Sequence, residues 1–328
     1  MFKKTFLFIT TILAATSAST GYGTADTLKG AVNVETFLDW FNNTEKYVHV
    51  KGLIVFDLIP ILFLIIQTVL FFKERKKAKG ILTALALLAN LIGVCIVIQY
   101  AHPIASQMLN WTPENLPPDW VQVKDEWFKY IGLNGLMSMG GWLCFVITYF
   151  LSTGKKTEGS RLHPILNFFK NALLFFLTFL LGMGAAGLYE YFFLPHQIEI
   201  SGATFIEMHR PVDLIMRKVG PVMFVFIVSL KVLLAALLFI ERSKYKGWLI
   251  IGALIFLLCD TFIALQFNRP INDLFLTWTP ATIPSNWTII REEWLCYHFY
   301  RNIFKILGIA AILLVYFVPK KDNEMQVL

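Results

Sequence analysis

Long apolar stretches alternate with short polar stretches along almost the whole chain. A transmembrane helix needs about 20 mostly apolar residues, because the helix rises ~1.5 Å per residue through a hydrocarbon core ~30 Å thick. The pattern therefore predicts an all-α integral membrane protein with eight spans. The predicted spans are residues 5–20, 52–72, 80–100, 131–151, 164–194, 218–240, 247–267 and 302–318.

The composition favours a membrane protein and excludes an ordinary soluble domain. Of 328 residues, 56% are hydrophobic and only 16% are charged, which leaves too little polar surface to keep a chain of this size soluble. The net charge of +7 comes from short basic clusters between apolar stretches, and we do not interpret it as nucleic-acid binding. Basic clusters mark cytoplasmic loops and meet anionic lipid heads. They lie at residues 73–79, 155–161, 242–246 and 320–321.

The first apolar stretch permits two interpretations. Lys3 and Lys4 precede a short apolar run that ends in small residues around Ala14 to Ala18, which also fits a cleaved secretory signal. Cleavage would leave seven spans with the same orientation. Retention gives eight spans with both termini cytoplasmic in the cell membrane, and the internal repeat favours it.

The chain repeats itself at a spacing of 167 residues. Tryptophan and proline are too uncommon for their recurrence to be chance, so the pattern predicts a tandem duplication. The recurring residues include Glu74 and Glu241, Arg75 and Arg242, Pro103 and Pro270, Trp111 and Trp278, Trp120 and Trp287, Trp127 and Trp294, and Tyr149 and Tyr316. Two parallel four-helix units are expected, at 1–151 and 164–328, joined by a cytoplasmic linker at 152–163. We expect the shared tryptophans to anchor outer loops at the membrane interface.

Polar residues distinguish the second unit from the first. Residues shared by both units are expected to serve the fold, whereas residues found in one unit are candidates for a site. Asn268, Asn272, Arg291, His298, Arg301 and Lys305 stand where the first unit has Ala101, Ala105, Lys124, Ile131, Asn134 and Ser138. The second unit is therefore predicted to hold the site, and the first is predicted to be its degenerate partner.

The richest polar run extends from Gln266 to Lys305. Asn268 and Asn272 flank Pro270, which suggests the frayed end of a helix. From Arg291 onward the spacing turns helical. Arg291, Trp294, His298, Arg301 and Lys305 then share one face, and a cationic face entering a membrane needs partners or a cavity.

Further polar candidates lie at the outer end and within the spans of the second unit. Glu190, His196 and His209 accompany His298 at the outer end, but no two histidines have the spacing of a helical metal site, and neither a metal nor a cofactor is predicted. Lys231 and Asp260 lie at depths that differ by only ~5 Å in adjacent spans, so they are predicted to form a buried ion pair. That pair either fixes packing or borders a polar cavity. The four cysteines are expected to be free thiols packed in the bundle.

The run Asn268-x-Pro270-x-Asn272, then Trp278, Trp287, and Arg291-x-x-Trp294-x-x-x-His298-x-x-Arg301 before the last span resembles the four-helix membrane family of anthrone oxygenase-like proteins. The resemblance covers about 164–318. Named members oxidise an anthrone to an anthraquinone with dioxygen, without a metal or a flavin. The resemblance implies an oxidoreductase that acts on an aromatic or quinone-like molecule. It also implies that His298 is the base, that Arg291 and Arg301 hold the enolate oxygen, and that Asn268 and Asn272 orient ring hydroxyls. His196 or His209 is the alternate base.

Two other classes remain open. One is an accessory protein that docks a membrane partner, or a second copy of itself, through its Trp-rich outer loops. The other is a transporter of lipids or small molecules, suggested by Lys231 and Asp260 within the spans.

Overall fold

A computed structural model of the chain describes residues 3–14, 33–52, 57–151, 164–184 and 199–318. These residues form helices and turns, with no β-strand among them. Residues 3–14 form α1. The others are α2 (Val34–Gly52), α3 (Ile59–Lys73), α4 (Lys77–Ile96), α5 (His102–Met108), α6 (Trp120–Phe150), α7 (Pro164–Gly184), α8 (Gly202–Ile240), α9 (Lys244–Ile263), α10 (Arg269–Thr277) and α11 (Trp287–Leu314). The prediction of an all-helical protein is confirmed for this part of the chain.

Several helices have the length and composition of membrane spans. Short π-helical turns join α4 to α5 and α9 to α10 into continuous rods. Within the described ranges four helices are long and apolar enough to cross a bilayer: Lys77–Met108, Trp120–Phe150, Gly202–Ile240 and Lys244–Thr277. Two shorter apolar helices, Ile59–Lys73 and Pro164–Leu180, accompany them. The chain is thus a helical protein with apolar helices compatible with a membrane.

The helices extend well beyond the apolar stretches at several ends. α8 starts at Gly202 and runs through Pro211 and Pro221, whereas hydropathy predicts a span only from residue 218. Its first turn is capped by Ser201, whose Oγ accepts a hydrogen bond from the backbone N–H of Thr204. α2 likewise lies in a segment predicted to be an outer loop. Hydropathy misses these segments because helices there carry polar residues on one face.

Prolines explain the two π-helical turns. Pro103 and Pro270 lie near the starts of α5 and α10, just after the π-helical turns Val97–Ala101 and Ala264–Asn268. A proline cannot donate to the carbonyl four residues before it, and the wider turn accommodates that loss without ending the helix. The prediction of a frayed end around Asn268 and Asn272 is therefore wrong. Both asparagines are held in continuous helical structure.

The positions of these elements recur along the chain. α4 and α9 start 167 residues apart, as do α6 and α11, and the two π-helical turns occupy corresponding positions. Contacts recur as well. Lys3 binds Glu74 at 2.7 Å and Lys170 binds Glu241 at 2.9 Å.

The two halves of the chain contact each other at both ends of the bundle. At one end Asp39 accepts a 2.8 Å hydrogen bond from the backbone N–H of Ser201, the residue that caps α8. In the same way, Glu207 of the second half accepts a 2.8 Å hydrogen bond from the side chain of Asn33, the residue before α2. At the other end the Tyr149 and Tyr316 rings lie 4.5 Å apart. Each carboxylate thus steadies the start of a helix in the other half.

Two expectations about side chains need correction. Trp111 and Trp278 are buried, 6% and 5% exposed, and pack in apolar cores instead of anchoring loops at the membrane interface. All four cysteines are free, as expected, but Cys95 and Cys296 are exposed on the helix surface and not packed inside. Cys95 and Cys296 lie in apolar sequence, but each lies on a helix face that points away from the neighbouring helices.

Replacing Glu207 by glutamine is expected to lower the free energy of unfolding by about 1 kcal/mol, since a charged acceptor at the start of α2 is lost. Thermal unfolding in detergent measures the effect. Glu35→Gln is the control, because Glu35 is an exposed acid in the first turn of α2. An equal loss in both variants would mean that the helix dipole alone, and not the contact between halves, accounts for the effect.

Candidate functional site

The polar residues of the second half replace an apolar core of the first. In the first half Phe41, Ala101 and Ala105 are at most 1% exposed and belong to one apolar cluster. At the corresponding places the second half carries His209, Asn268 and Asn272. The substitutions therefore bring polar groups into the interior of the bundle and not onto its surface.

Ring geometry establishes where His209 lies. The Phe41 ring packs edge-on to Trp127 at 5.3 Å, and the His209 ring packs edge-on to Trp294 at 5.2 Å. His209 also stacks on Phe205 at 5.6 Å. Because the register between the halves shifts by one residue in this helix, the constant spacing of 167 residues pairs His209 with Asn42 and not with Phe41.

A chain of hydrogen bonds connects Trp294 to the surface of the helices. The indole Nε1 of Trp294 donates to Asn272 Oδ1 at 2.6 Å, and Asn272 Nδ2 donates to Asp213 Oδ1 at 3.0 Å. The other oxygen of Asp213 accepts from Arg217 Nε at 2.6 Å. Arg217 also binds exposed Asp273 at 2.5 Å. These bonds fix the orientation of the Asn272 amide.

Asp213, Arg217 and Asp273 were not predicted to belong to the site. Asp213 follows His209 by four residues, and Arg217 follows Asp213 by four. His209, Asp213 and Arg217 therefore share one face of α8. That spacing could have identified Asp213 and Arg217 from the sequence. It was missed because hydropathy assigned residues 199–217 to a loop.

His298 lies against this network. Its ring centroid is 4.1 Å from that of Trp294. Arg301, Lys305 and His209 are the charged or titratable groups that act electrostatically on it. Predicted site residues from three helices, α8, α10 and α11, therefore converge around Trp294.

Arg217 Nη2 is buried without a hydrogen-bond partner among the described residues, and so are two polar atoms of residues that contact Trp294. They are His209 Nε2 and Asn268 Oδ1, and Asn268 as a whole is only 1% exposed. The amide nitrogen of Asn268 donates to the backbone carbonyl of Trp294 at 3.1 Å. Unpaired buried polar atoms are costly, so each calls for an explanation such as a bound molecule.

The partner of Asp260 differs from the predicted one. Asp260 Oδ1 accepts from Arg301 Nε at 2.8 Å, which makes a largely buried ion pair between α9 and α11. Lys231 instead donates to the backbone carbonyl of Ala253 at 3.0 Å. Depth along the helices suggested Lys231, but the rotation of each helix decides which side chains meet, and Arg301 faces Asp260 directly.

The ion pair replaces a close contact of the first half. There Gly93 and Asn134 occupy the equivalent places, and a Cβ on Gly93 would lie 2.3 Å from Asn134 Oδ1. Asp260 and Arg301 stand at these two places in the second half. Arg301 is thus already bound to a carboxylate. If it also holds an enolate oxygen, as the family resemblance implies, it must do so while keeping the bond to Asp260.

Arg291 lies in a different environment from Arg301. It is fully buried, with its guanidinium 4.6 Å from the centroid of the Trp287 ring. Lys124 in the first half makes the same contact with Trp120 at 5.4 Å. A cation in an aromatic setting is therefore common to both halves, which favours a role in packing for Arg291.

The remaining predicted residues, Glu190 and His196, lie outside the described residues. Among those described, no three His, Cys, Asp or Glu side chains are grouped so as to hold a metal ion. Comparison of the chain with protein-family models, with curated proteins and with solved structures finds no match.

Proposed function

We propose that the chain is a multi-pass protein of the cell membrane, with eight spans in two parallel four-helix units that arose by tandem duplication. Matching helix bounds, the paired π-helical turns and the paired Lys3–Glu74 and Lys170–Glu241 bridges support this organisation. Four spans per unit give both units the same orientation, and the basic turns then face the cytoplasm with both termini.

We propose that the second unit binds an aromatic or quinone-like small molecule and oxidises it with dioxygen. One observation carries this proposal: the place that is an apolar cluster in the first half holds His209, Asn268 and His298 in the second, with unpaired polar atoms on two of them. A protein that needed only a stable bundle would retain the apolar version.

The residues suggest how such a reaction would proceed. His298, or His209, takes a proton from an acidic C–H beside an aromatic ketone, and the electron pair of that bond passes into the ring system as an enolate. The enolate is electron-rich and transfers electrons to dioxygen. Overall a CH2 group and one O2 give a C=O group and one water, so atoms and electrons balance. Asn268 Oδ1 is placed to accept a hydrogen bond from a ring hydroxyl, and the positive charge of Arg301 favours the enolate.

The proposal is tested by oxygen uptake of the purified, detergent-extracted protein with anthrone as the probe. His298→Ala is expected to lower the protein-dependent rate by about 10²-fold or more, because a positioned base contributes that much. His102→Ala is the control, since His102 is exposed in the first half. Uptake no faster than in protein-free detergent would remove the basis for an oxygenase.

The docking alternative has less support. It requires the Trp-rich loops to present Trp278 to a partner, yet Trp278 is only 5% exposed and packs against Phe275 at 5.1 Å. The transporter alternative began from a Lys231–Asp260 pair, and both residues are engaged with other groups. Neither alternative accounts for the unpaired atoms of His209 and Asn268.

A further inference from the structure

Two turns on one side of the bundle share an unusual backbone. Arg75, between α3 and α4, has φ 57°, and Arg242, between α8 and α9, has φ 60°. They are the only residues other than glycine with positive φ in the described ranges. Arginine rarely adopts this left-handed conformation, because its Cβ crowds the backbone.

The hydrogen bonds of these turns are those that usually select glycine. After α3 the N–H of Lys76 bonds to the carbonyl of Phe71 at 2.9 Å. After α8 the N–H of Ser243 bonds to the carbonyl of Leu238 at 2.9 Å. Helices that end with this motif favour glycine at the left-handed position. Both turns carry arginine there, which indicates that the side chain has a use that offsets the strain.

No such use is found among the residues that the structure describes. The neighbouring carboxylates already have partners: Glu74 binds Lys3 and Lys76, and Glu241 binds Lys170. Hydrogen bonds from Lys3 and Lys76 hold the pKa of Glu74 below its ordinary value. The negative charge of Glu74 is therefore balanced by these two lysines. Arg75 and Arg242 are exposed, and neither has an ion-pair partner among the described side chains.

The surroundings are those of a membrane surface. Lys73 and Lys77 lie exposed beside Arg75. Tyr245 and Trp248 lie beside Arg242 and are 63% and 64% exposed. Aromatic and basic residues at the ends of apolar helices are typical of the headgroup region of a bilayer.

We propose that each of these turns binds the phosphate of an anionic phospholipid, with Arg75 or Arg242 as the principal ligand. The guanidinium of each arginine belongs to a side chain on the exposed surface of its turn. Its planar set of N–H donors then binds two phosphate oxygens, a geometry that lysine cannot reproduce. The flanking lysines add charge, and the exposed aromatic residues sit at headgroup depth beside the second site.

The test measures thermal unfolding of the full chain in neutral detergent, with added phosphatidylglycerol, phosphatidylcholine or inorganic phosphate. Phosphatidylglycerol is expected to raise the Tm of the unmodified protein, and the other two additions are expected to have little effect. In the double variant Arg75→Gly, Arg242→Gly the Tm without lipid rises, because glycine relieves the strain. The rise caused by phosphatidylglycerol falls to less than half.

Two further variants sharpen the result. Arg75→Lys with Arg242→Lys keeps the charge and is expected to retain an intermediate response to phosphatidylglycerol. Arg269→Gln removes one exposed charge at the start of α10, far along the same rod from Arg242, and is expected to respond like the unmodified protein. An undiminished lipid response in the double glycine variant would overturn the proposal, and so would an equal response to inorganic phosphate.

Discussion

Replacing Arg301 by asparagine is expected to destabilise the protein by about 3–5 kcal/mol, because it leaves the carboxylate of Asp260 buried without its partner. Asp260 is 9% exposed, so little water can replace the lost guanidinium. The 2.8 Å bond between Arg301 Nε and Asp260 Oδ1 is the main contact that keeps this charge inside the bundle. Thermal or denaturant unfolding in detergent measures the loss.

The first half supplies a matched control for this change. The double variant Asp260→Gly, Arg301→Asn reproduces the Gly93 and Asn134 contact, in which the asparagine oxygen occupies the space beside the glycine. We expect the double variant to recover most of the stability lost in Arg301→Asn, apart from about 1 kcal/mol for a glycine inside a helix. If the single variant were silent, Asp260 would have to be neutral or hydrated, and the pair would not be a buried ion pair.

Much of the helical framework could be predicted from the sequence. Apolar stretches of spanning length identify α4, α6, α8 and α9, because each of these helices contains a long apolar segment with few charged residues. The face that joins Trp294 to His298 also follows from helical spacing, since residues four apart lie together. The structure places those two rings 4.1 Å apart.

The parts that could not be predicted depend on helix rotation and on register. Depth along two helices suggested that Lys231 meets Asp260, yet depth says nothing about which way a side chain points. Arg301 has the longer reach and faces Asp260 across α9 and α11. His209 was harder to place, because its counterpart Phe41 appears only after a one-residue shift that no single spacing reveals.

The polar segments posed a different difficulty. Averaged hydropathy cannot distinguish a loop from a helix whose polar residues lie on one face. α2 and the first turns of α8 were therefore assigned to loops. Asp213 and Arg217 lie in the second of these segments, which is why the network that orients Asn272 was missed.

Returning the site to the first half's residues is expected to separate stability from function. The triple variant His209→Phe, Asn268→Ala, His298→Ile installs the residues found at Phe41, Ala101 and Ile131. It removes His209 Nε2 and Asn268 Oδ1, two of the buried atoms that have no hydrogen-bond partner among the described residues. Since each such atom costs about 1–3 kcal/mol, the free energy of unfolding should rise by about 2 kcal/mol.

The same variant should lose oxygen uptake with anthrone, because no base or ring-hydroxyl acceptor remains at those positions. Polar residues of natural active sites commonly lower the stability of a protein while supporting its activity. Three outcomes of paired unfolding and uptake measurements can be distinguished. A more stable, inactive protein supports the site. A more stable protein with unchanged uptake would place the chemistry elsewhere in the chain. A less stable protein would mean that the polar groups of His209, Asn268 and His298 hold the second half of the chain together, and that the difference between the halves reflects packing and not a bound molecule.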